Sequence, residues 1–290
     1  MSETVVQKAP SGIGRYLKNN LRESGMLLSL IAIMIFFQIV TGGVLMKPLN
    51  LTNLVLQNSY IVIMALGMLL IIVTGHIDLS VGSVCGFIGA LAAVMMVRWG
   101  IPFPIAAILC LIAGGIIGAM QGFWVAYFNI PSFIVTLAGM LVFKGLMLAV
   151  LGGQSVGPFP PMFQKLSSGF IPEFIGVTGG VYLTSLILGL VLAGFIVWQN
   201  SRSRARHIAH EVETEPFAFF VIKNIVLFAG IAYLALLISS HRGMPNVLII
   251  MAVLIAAYAF LTTRTVIGRQ IYAVGGNRHA AKLSGVKTER

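Results

Sequence analysis

Charge is what this chain has least of. Only 9% of its 290 residues are charged and 58% are hydrophobic, against about 25% charged in an ordinary soluble domain. So few charges cannot cover a water-facing surface, which excludes a soluble globular fold and makes lipid the main solvent. Acids are scarcer still. Asp78 is the one aspartate, and Glu3, Glu23, Glu173, Glu211, Glu213, Glu215 and Glu289 all fall outside the apolar runs. A proton or ion relay needs partnered carboxylates inside the spans, so the composition argues against ion coupling. The two cysteines, Cys85 and Cys110, each sit in an apolar run with no C-x-x-C spacing. They read as small buried hydrophobes, with no redox or metal role. The five histidines are scattered. His207 and His210 lie three apart, in an Arg-rich segment that offers no further ligand. No phosphate-binding G-x-x-x-x-G-K-[ST] occurs, and no acid–base cluster. The sequence therefore predicts no catalytic residues, no metal and no cofactor.

What is present is a series of long apolar runs. A span needs about 20 apolar residues, and runs near 26–46, 54–74, 83–97, 104–127, 132–152, 181–198, 217–239 and 246–262 satisfy or approach this. The expected fold is all-α, a polytopic transmembrane helical bundle of about eight spans. The first run is too long for a signal-peptide core and lacks an A-x-A cleavage site, so it reads as a retained span. The third is short, which predicts a tilted, broken or protein-shielded helix. The net charge of +11 is placed as topology signals are, at span ends, and gives no footprint for nucleic acid. With the N-terminus inside, Lys8, Arg15, Lys18 and Arg22, then Arg202, Arg204, Arg206 and Lys223, then Arg264, Arg269, Arg278, Lys282, Lys287 and Arg290 all fall inside. Only Lys47, Arg98, Lys165 and Arg242 fall outside. This bias predicts both chain ends in the cytoplasm. The organisation that follows is a basic N-terminus (1–25), a transmembrane bundle (26–262) and a cytoplasmic tail (263–290). Within the bundle, 154–180 reads as a rigid, irregular outside loop rich in proline, and 199–216 as a solvated inside connector. Gly114, Gly118 and Gly122, and the pair Gly82 and Gly86, have the small-xxx-small spacing that lets helices approach closely in lipid.

Three segments carry more information. Thr74 to Ser83 reads TGHIDLSVGS. There Asp78 or Ser80 is placed to cap the third span, with Gly75 and Gly82 permitting a tight turn or close packing. The alternative is a broken-helix element lining a pathway. Asn129 to Leu146 starts a helix at Asn129 and Pro131 and puts Lys144 in mid-span. An intramembrane charge is a functional candidate. It could equally snorkel, pair with a carbonyl, or pair with Asp78. Polar span residues such as Gln57, Asn58, Gln121 and Thr136 can simply pack between helices. Thr265 to Arg290 is polar and basic, and within it 277–284 reads as a short amphipathic helix with Ala280, Ala281 and Leu283 as its apolar members. So short a helix gains stability by docking on a partner.

These segments resemble the permease subunits of bacterial monosaccharide ABC importers, of the ribose, xylose and galactose type. The resemblance rests on GHIDLSVGS (75–83), on IPSFIVTLAGM (130–140) followed by Lys144, and on GRQIYAVGGNRHAAKLSGV (268–286). The Arg-rich connector and EPFAFFVIKN (215–224) are most similar to the xylose or multiple-monosaccharide branch. The resemblance implies a pathway formed with a second permease subunit, as a homodimer, in the bacterial inner membrane. A periplasmic binding protein would deliver the sugar and separate ATP-binding subunits would hydrolyse ATP. It implies that Gly268, Arg269, Gly275, Gly276, Asn277, Ala280, Ala281, Leu283, Ser284 and Gly285 form the cytoplasmic coupling segment. It also implies that Gly75, Asp78, Leu79, Ser80 and Gly82 form a family hallmark near the pathway. Members of that family continue with further spans beyond such a segment, so the chain is expected to be C-terminally truncated. The competing expectations are an ion-independent or ion-coupled carrier, or an ABC permease for another small solute.

Overall fold

A computed structural model describes residues 21–210 and 214–288. Lys8, Arg15, Lys18, Glu211, Glu213 and Arg290 lie outside the described residues, as does the side chain of Arg22. The described chain is helical almost throughout: α1 (Leu21–Val40), α2 (Pro48–Val73), α3 (Val81–Ala93, continued by a π-helical turn Val94–Arg98), α4 (Phe103–Tyr127), α5 (Ser132–Leu151), α6 (Pro161–Ser168), α7 (Leu183–Ala209), α8 (Phe217–Ser239), α9 (Asn246–Arg264), α10 (Val266–Gly276) and α11 (Arg278–Leu283). One two-stranded hairpin, β1 (Val177–Thr178) and β2 (Val181–Tyr182), interrupts the series. Among the described residues, seven helices are long and apolar enough to cross a membrane: α2, α3, α4, α5, α7, α8 and α9. The first expected run is α1, whose apolar stretch Leu28–Val40 is shorter.

Proline sets most of the helix starts. Pro48 opens α2, and Pro102, Pro131, Pro160, Pro216 and Pro245 precede α4, α5, α6, α8 and α9. Its fixed φ suits a helix entrance, where a missing N–H costs nothing. Asn129, expected to help start α5, instead closes α4 in a left-handed conformation with φ of 52°, as helix ends favour.

Two compact units divide the chain, with α2 running through both: residues 1–55 with 170–244, and residues 56–169 with 245–290. In the second unit α3 is the most enclosed span, a third of its window being buried, as its shortness suggested. Ala92, Met95 and Met96 of α3 meet Ala106 of α4, with Phe159 and Phe163 packed over them. Gly86 lies close enough to α5 that a Cβ there would come 2.8 Å from Met147 Sδ. Gly82, Gly114, Gly118 and Gly122 meet nothing within 4 Å. The glycine ridge expected on the fourth span thus makes no close approach among the described residues, and Gly82 is a plain helical glycine.

In the first unit α7 and α8 pack as an antiparallel pair, closest where Gly189 abuts Ala235. The 154–180 loop, which passes from the second unit into the first after Gly169, is more regular than expected. It holds α6, started by Pro160 and Pro161, and most of the hairpin. Gly179 and Gly180 have φ of +59° and +79°, the left-handed pair that a tight two-residue hairpin needs. Glu173 then ties this loop to the start of α7. Its Oε1 accepts from the backbone N–H groups of Ile175 (3.2 Å), Gly176 (3.0 Å) and Thr184 (3.0 Å) and from the Thr184 hydroxyl (2.5 Å). Partial burial pushes this carboxyl up, but the donors from Thr184, Gly176 and Ile175 outweigh that effect. They hold its pKa at about 2, against an ordinary 4.5. The 199–216 connector is helical over half its length, since α7 continues to Ala209. The hydropathy boundary there marks the end of the apolar run and not the end of the helix.

Candidate functional site

The hallmark segment is a short loop between α2 and α3, and three neighbouring helices hold it. α2 ends in a Schellman turn: Gly75, with φ of +82°, donates to Ile72 O (2.9 Å), and His76 donates to Ile71 O (3.2 Å). The next residues are stitched to the first turn of α5. The Ile77 N–H donates to Ser132 Oγ at 3.2 Å. The Thr136 hydroxyl sits 2.9 Å from Ser132 O and 3.3 Å from Ile77 O. A segment that hydropathy shows only as a polar break is therefore a braced turn.

Asp78 does not cap α3 directly, and neither does the side chain of Ser80. Ser80 occupies the N-cap position but makes no side-chain capping bond. Asp78 Oδ1 instead accepts from the backbone N–H of Ser80 and from its hydroxyl, both at 2.7 Å. The reason lies in the Ser80 side chain, which turns inward, 1% exposed, toward Gln121 Oε1 of α4 at 3.1 Å. One hydroxyl proton serves one acceptor. Gln121 Nε2 is meanwhile buried without a partner. Turning the Gln121 amide by 180° resolves both points: Nε2 donates to Ser80 Oγ, and Ser80 donates to Asp78. The result is a short polar chain from Gln121 through Ser80 to Asp78, in a span region where an unmade bond is expensive. Gly139 of α5 makes room for it, since a Cβ there would lie 2.6 Å from Gln121 Nε2. Leu79 points away and is exposed.

Lys144 is not part of this cluster. It lies eight residues beyond Thr136, about 12 Å further along α5, and its side chain is exposed. The ion pair found among the described residues is Lys223–Glu215, so of the alternatives open to Lys144 the pairing with Asp78 is not made. The separation along α5 is its physical cause.

The tail folds back onto the same region. Thr265 caps α10, its hydroxyl accepting from Gly268 N at 3.1 Å. Gly268 is buried against the carbonyls of Leu261 and Thr262, a reversal that only a residue without a Cβ allows. Gly275 then crosses the end of α2 so closely that a Cβ would collide with the Val73 carbonyl. Val73 is the last residue of α2, immediately before the hallmark loop. Two segments some two hundred positions apart in sequence thus meet at one backbone contact. Gly276, in contrast, faces open space. Asn277 Oδ1 caps α11 by accepting from Ala280 N at 3.0 Å. Ser284 and Gly285, the latter with φ of +84°, close it. Within α11 Ala281 is buried, while Ala280 is exposed and Leu283 is 86% exposed. Arg269 of α10 is exposed as well.

The sequence expectations located the loop and the tail but not the residues that brace the loop. Gln121 and Thr136 were legible only as ordinary polar span residues, and Ser132 and Gly139 carried no reading of their own. The signal that marks them is the pairing of a buried amide on one helix with a glycine on the next, which needs three dimensions. Among the described residues no group of three or more His, Cys, Asp or Glu could hold a metal.

Residues 50–290 match the family described as "Branched-chain amino acid transport system / permease component". The xylose transport system permease protein XylH of Haemophilus influenzae is 36% identical over 274 residues, covering 93% of this chain and 70% of that protein. Its namesake from Escherichia coli K12 is 38% identical over 272 residues, covering 93% and 67%. The autoinducer 2 import system permease protein LsrC of Salmonella typhi is 30% identical over 179 residues, covering 62% of this chain and half of that protein. No solved structure matches. The all-helical fold with its membrane-spanning helices and the match over residues 50–290 agree, and the chain belongs to this family of transport-system permease components.

Proposed function

We propose that the chain is the membrane-spanning subunit of an ATP-driven importer for xylose or related monosaccharides. On this reading a binding protein outside the membrane delivers the sugar, and a second permease subunit, in a homodimer, completes the pathway. ATP-binding subunits engage α10–α11 from the cytoplasm, where both chain ends lie. The xylose relatives at 36–38% identity over 93% of the chain support the substrate class.

One observation carries the mechanism: the contact of Gly275 with the Val73 carbonyl. A partner that grips the exposed side of α11, at Ala280 and Leu283, would move α10 with it through the capped and buried joints at Asn277 and Ala281. Backbone pressed on backbone leaves no flexible side chain to absorb that movement. It passes to the end of α2 and into the loop at Thr74–Ser80. The bonds of that loop to Ser132, Thr136 and Gln121 then share it with α5 and α4. The pathway side of the bundle is thereby tied to the site of nucleotide hydrolysis without this chain performing any chemistry.

The test is uptake of labelled xylose by the permease reconstituted with its ATP-binding subunits and binding protein, with and without ATP. Substituting Leu283→Asp, which touches no buried contact, is expected to abolish ATP-driven uptake and co-purification of the ATP-binding subunits while leaving helical content unchanged. Uptake that persists without ATP-binding subunits would identify a carrier and overturn the importer reading. A sugar panel that fails while autoinducer 2 is taken up would move the substrate toward that of the LsrC relatives.

A further inference from the structure

The ends of α7 and α8 flank a feature that takes no part in the coupling path proposed above. The apolar run of α7 ends at Trp198, and the helix continues as QNSRSRARHIA. Residues 200–207 lie two to nine positions past that end, about 3–14 Å beyond it at 1.5 Å per residue. The headgroup layer occupies roughly 5–7 Å on each side of the hydrocarbon, so this stretch begins at headgroup level. A cavity of about 270 Å³ opens there between the two helices, with Ser203, Arg204, His207, Glu215, Phe220 and Lys223 in its wall.

Its chemistry is rich in donors. The Arg204 guanidinium lies over the Phe220 ring at 4.8 Å and the Phe217 ring at 5.8 Å, and donates one bond to Glu215 O at 2.7 Å. Held in this way it keeps further N–H groups for a ligand. Lys223 begins some 9 Å down α8 and reaches back up, as lysines near an interface do. It sits 3.4 Å from both Glu215 oxygens, longer than the 2.7–2.9 Å of a tight charge-assisted bond, so its ammonium retains donors as well. His207 and Ser203 add two more groups. Facing them, the described wall has the single carboxylate of Glu215. Beside the cavity α8 has an apolar face: Phe217 is 69% exposed, and Phe228, three turns on along the same face, is also exposed. A soluble phosphate would gain nothing from that face, whereas acyl chains would.

We propose that this cavity binds the phosphate of an anionic phospholipid headgroup, its acyl chains lying along the Phe217–Phe228 face of α8. Basic pockets between helices at a membrane surface have this chemistry. The site does not depend on what the permease carries.

Native mass spectrometry of the delipidated permease titrated with phosphatidylglycerol or phosphatidylcholine tests it. The wild type should retain phosphatidylglycerol in preference to phosphatidylcholine. Lys223→Gln, which loses only its contact with Glu215, and Ser203→Glu, which adds a negative charge to the cavity, should each weaken phosphatidylglycerol binding by tenfold or more. Arg202→Gln, on the opposite face of α7 against Trp198, should change it less than twofold. Equal retention by wild type and cavity variants, or equal retention of the two lipids, would overturn the proposal. Complete displacement by millimolar glycerol phosphate would overturn the lipid assignment in favour of a soluble phosphate.

Discussion

Gly275 and Gly276 are adjacent, both helical, and differ in one respect that can be measured. A methyl at 276 enters open space, while a methyl at 275 meets the Val73 carbonyl. Either change to alanine brings up to about 0.5–1 kcal/mol of helix stabilisation by removing glycine's backbone entropy cost. At 275 that gain is opposed by overpacking, about 1–3 kcal/mol where neighbours must shift. The obstacle is backbone on both sides, so the upper part of that range applies. Gly275→Ala should therefore lie about 2–3 kcal/mol below Gly276→Ala, a ratio of roughly 30- to 150-fold in the opening equilibrium of α10. Hydrogen exchange of the α10 amides in the purified permease measures that ratio directly. ATP-driven uptake should follow the same order, with Gly276→Ala close to wild type and Gly275→Ala impaired. If the two variants exchange and transport alike, α10 does not bear on α2, and the proposed path of coupling fails.

Two further outcomes follow from the polar contacts. Asp78→Asn keeps an Oδ1 acceptor for Ser80 and should hold uptake within about twofold of wild type, while Asp78→Ala leaves the buried Ser80 donors unpaired and should cost about 1–3 kcal/mol in thermal unfolding. A loss in Asp78→Asn as large as in Asp78→Ala would show that the charge itself is required. At Glu173 the folded-state pKa is depressed, so its stabilisation is complete above about pH 4.5 and is lost as pH falls toward about 2. Exchange protection of the Ile175, Gly176 and Thr184 amides should fall across that window, and Glu173→Gln should remove the pH dependence; a variant that kept it would refute the assignment.

Most of the helices could be read from hydropathy, because in lipid every backbone group must be satisfied within its own segment and a long apolar run has one solution. The run near 217–239 coincides with α8. Where the expectation stopped short, a second force acted. α7 passes its apolar boundary because Gln, Ser, Ala and Arg extend a helix once it has begun. The 154–180 loop looked irregular because its prolines were read as breakers, although Pro160 and Pro161 start a helix. At the site, the loop and the tail stood out by composition, but their meeting at Val73 did not. A glycine that must approach a backbone and one that meets nothing are the same letter, and Gly276 looked as constrained as Gly275. A pairing of Asp78 with Lys144, one of the alternatives open in the sequence, had the right charges and the wrong rise along α5. The partner Asp78 does have, Ser80, was present in the hallmark but was read as a cap.

The length of α7 has a mechanical meaning. At 27 residues it spans roughly 40 Å, against a hydrocarbon layer of about 30 Å. One end carries Arg202, Arg204 and Arg206 as a collar. Drawing that collar toward the bilayer centre would cost up to roughly 2.5–3.5 kcal/mol per arginine. The other end is hooked by Glu173 and the hairpin that precedes it. Sliding α7 inward along its axis would therefore cost its arginines their water, whereas tilting the helix in place would not.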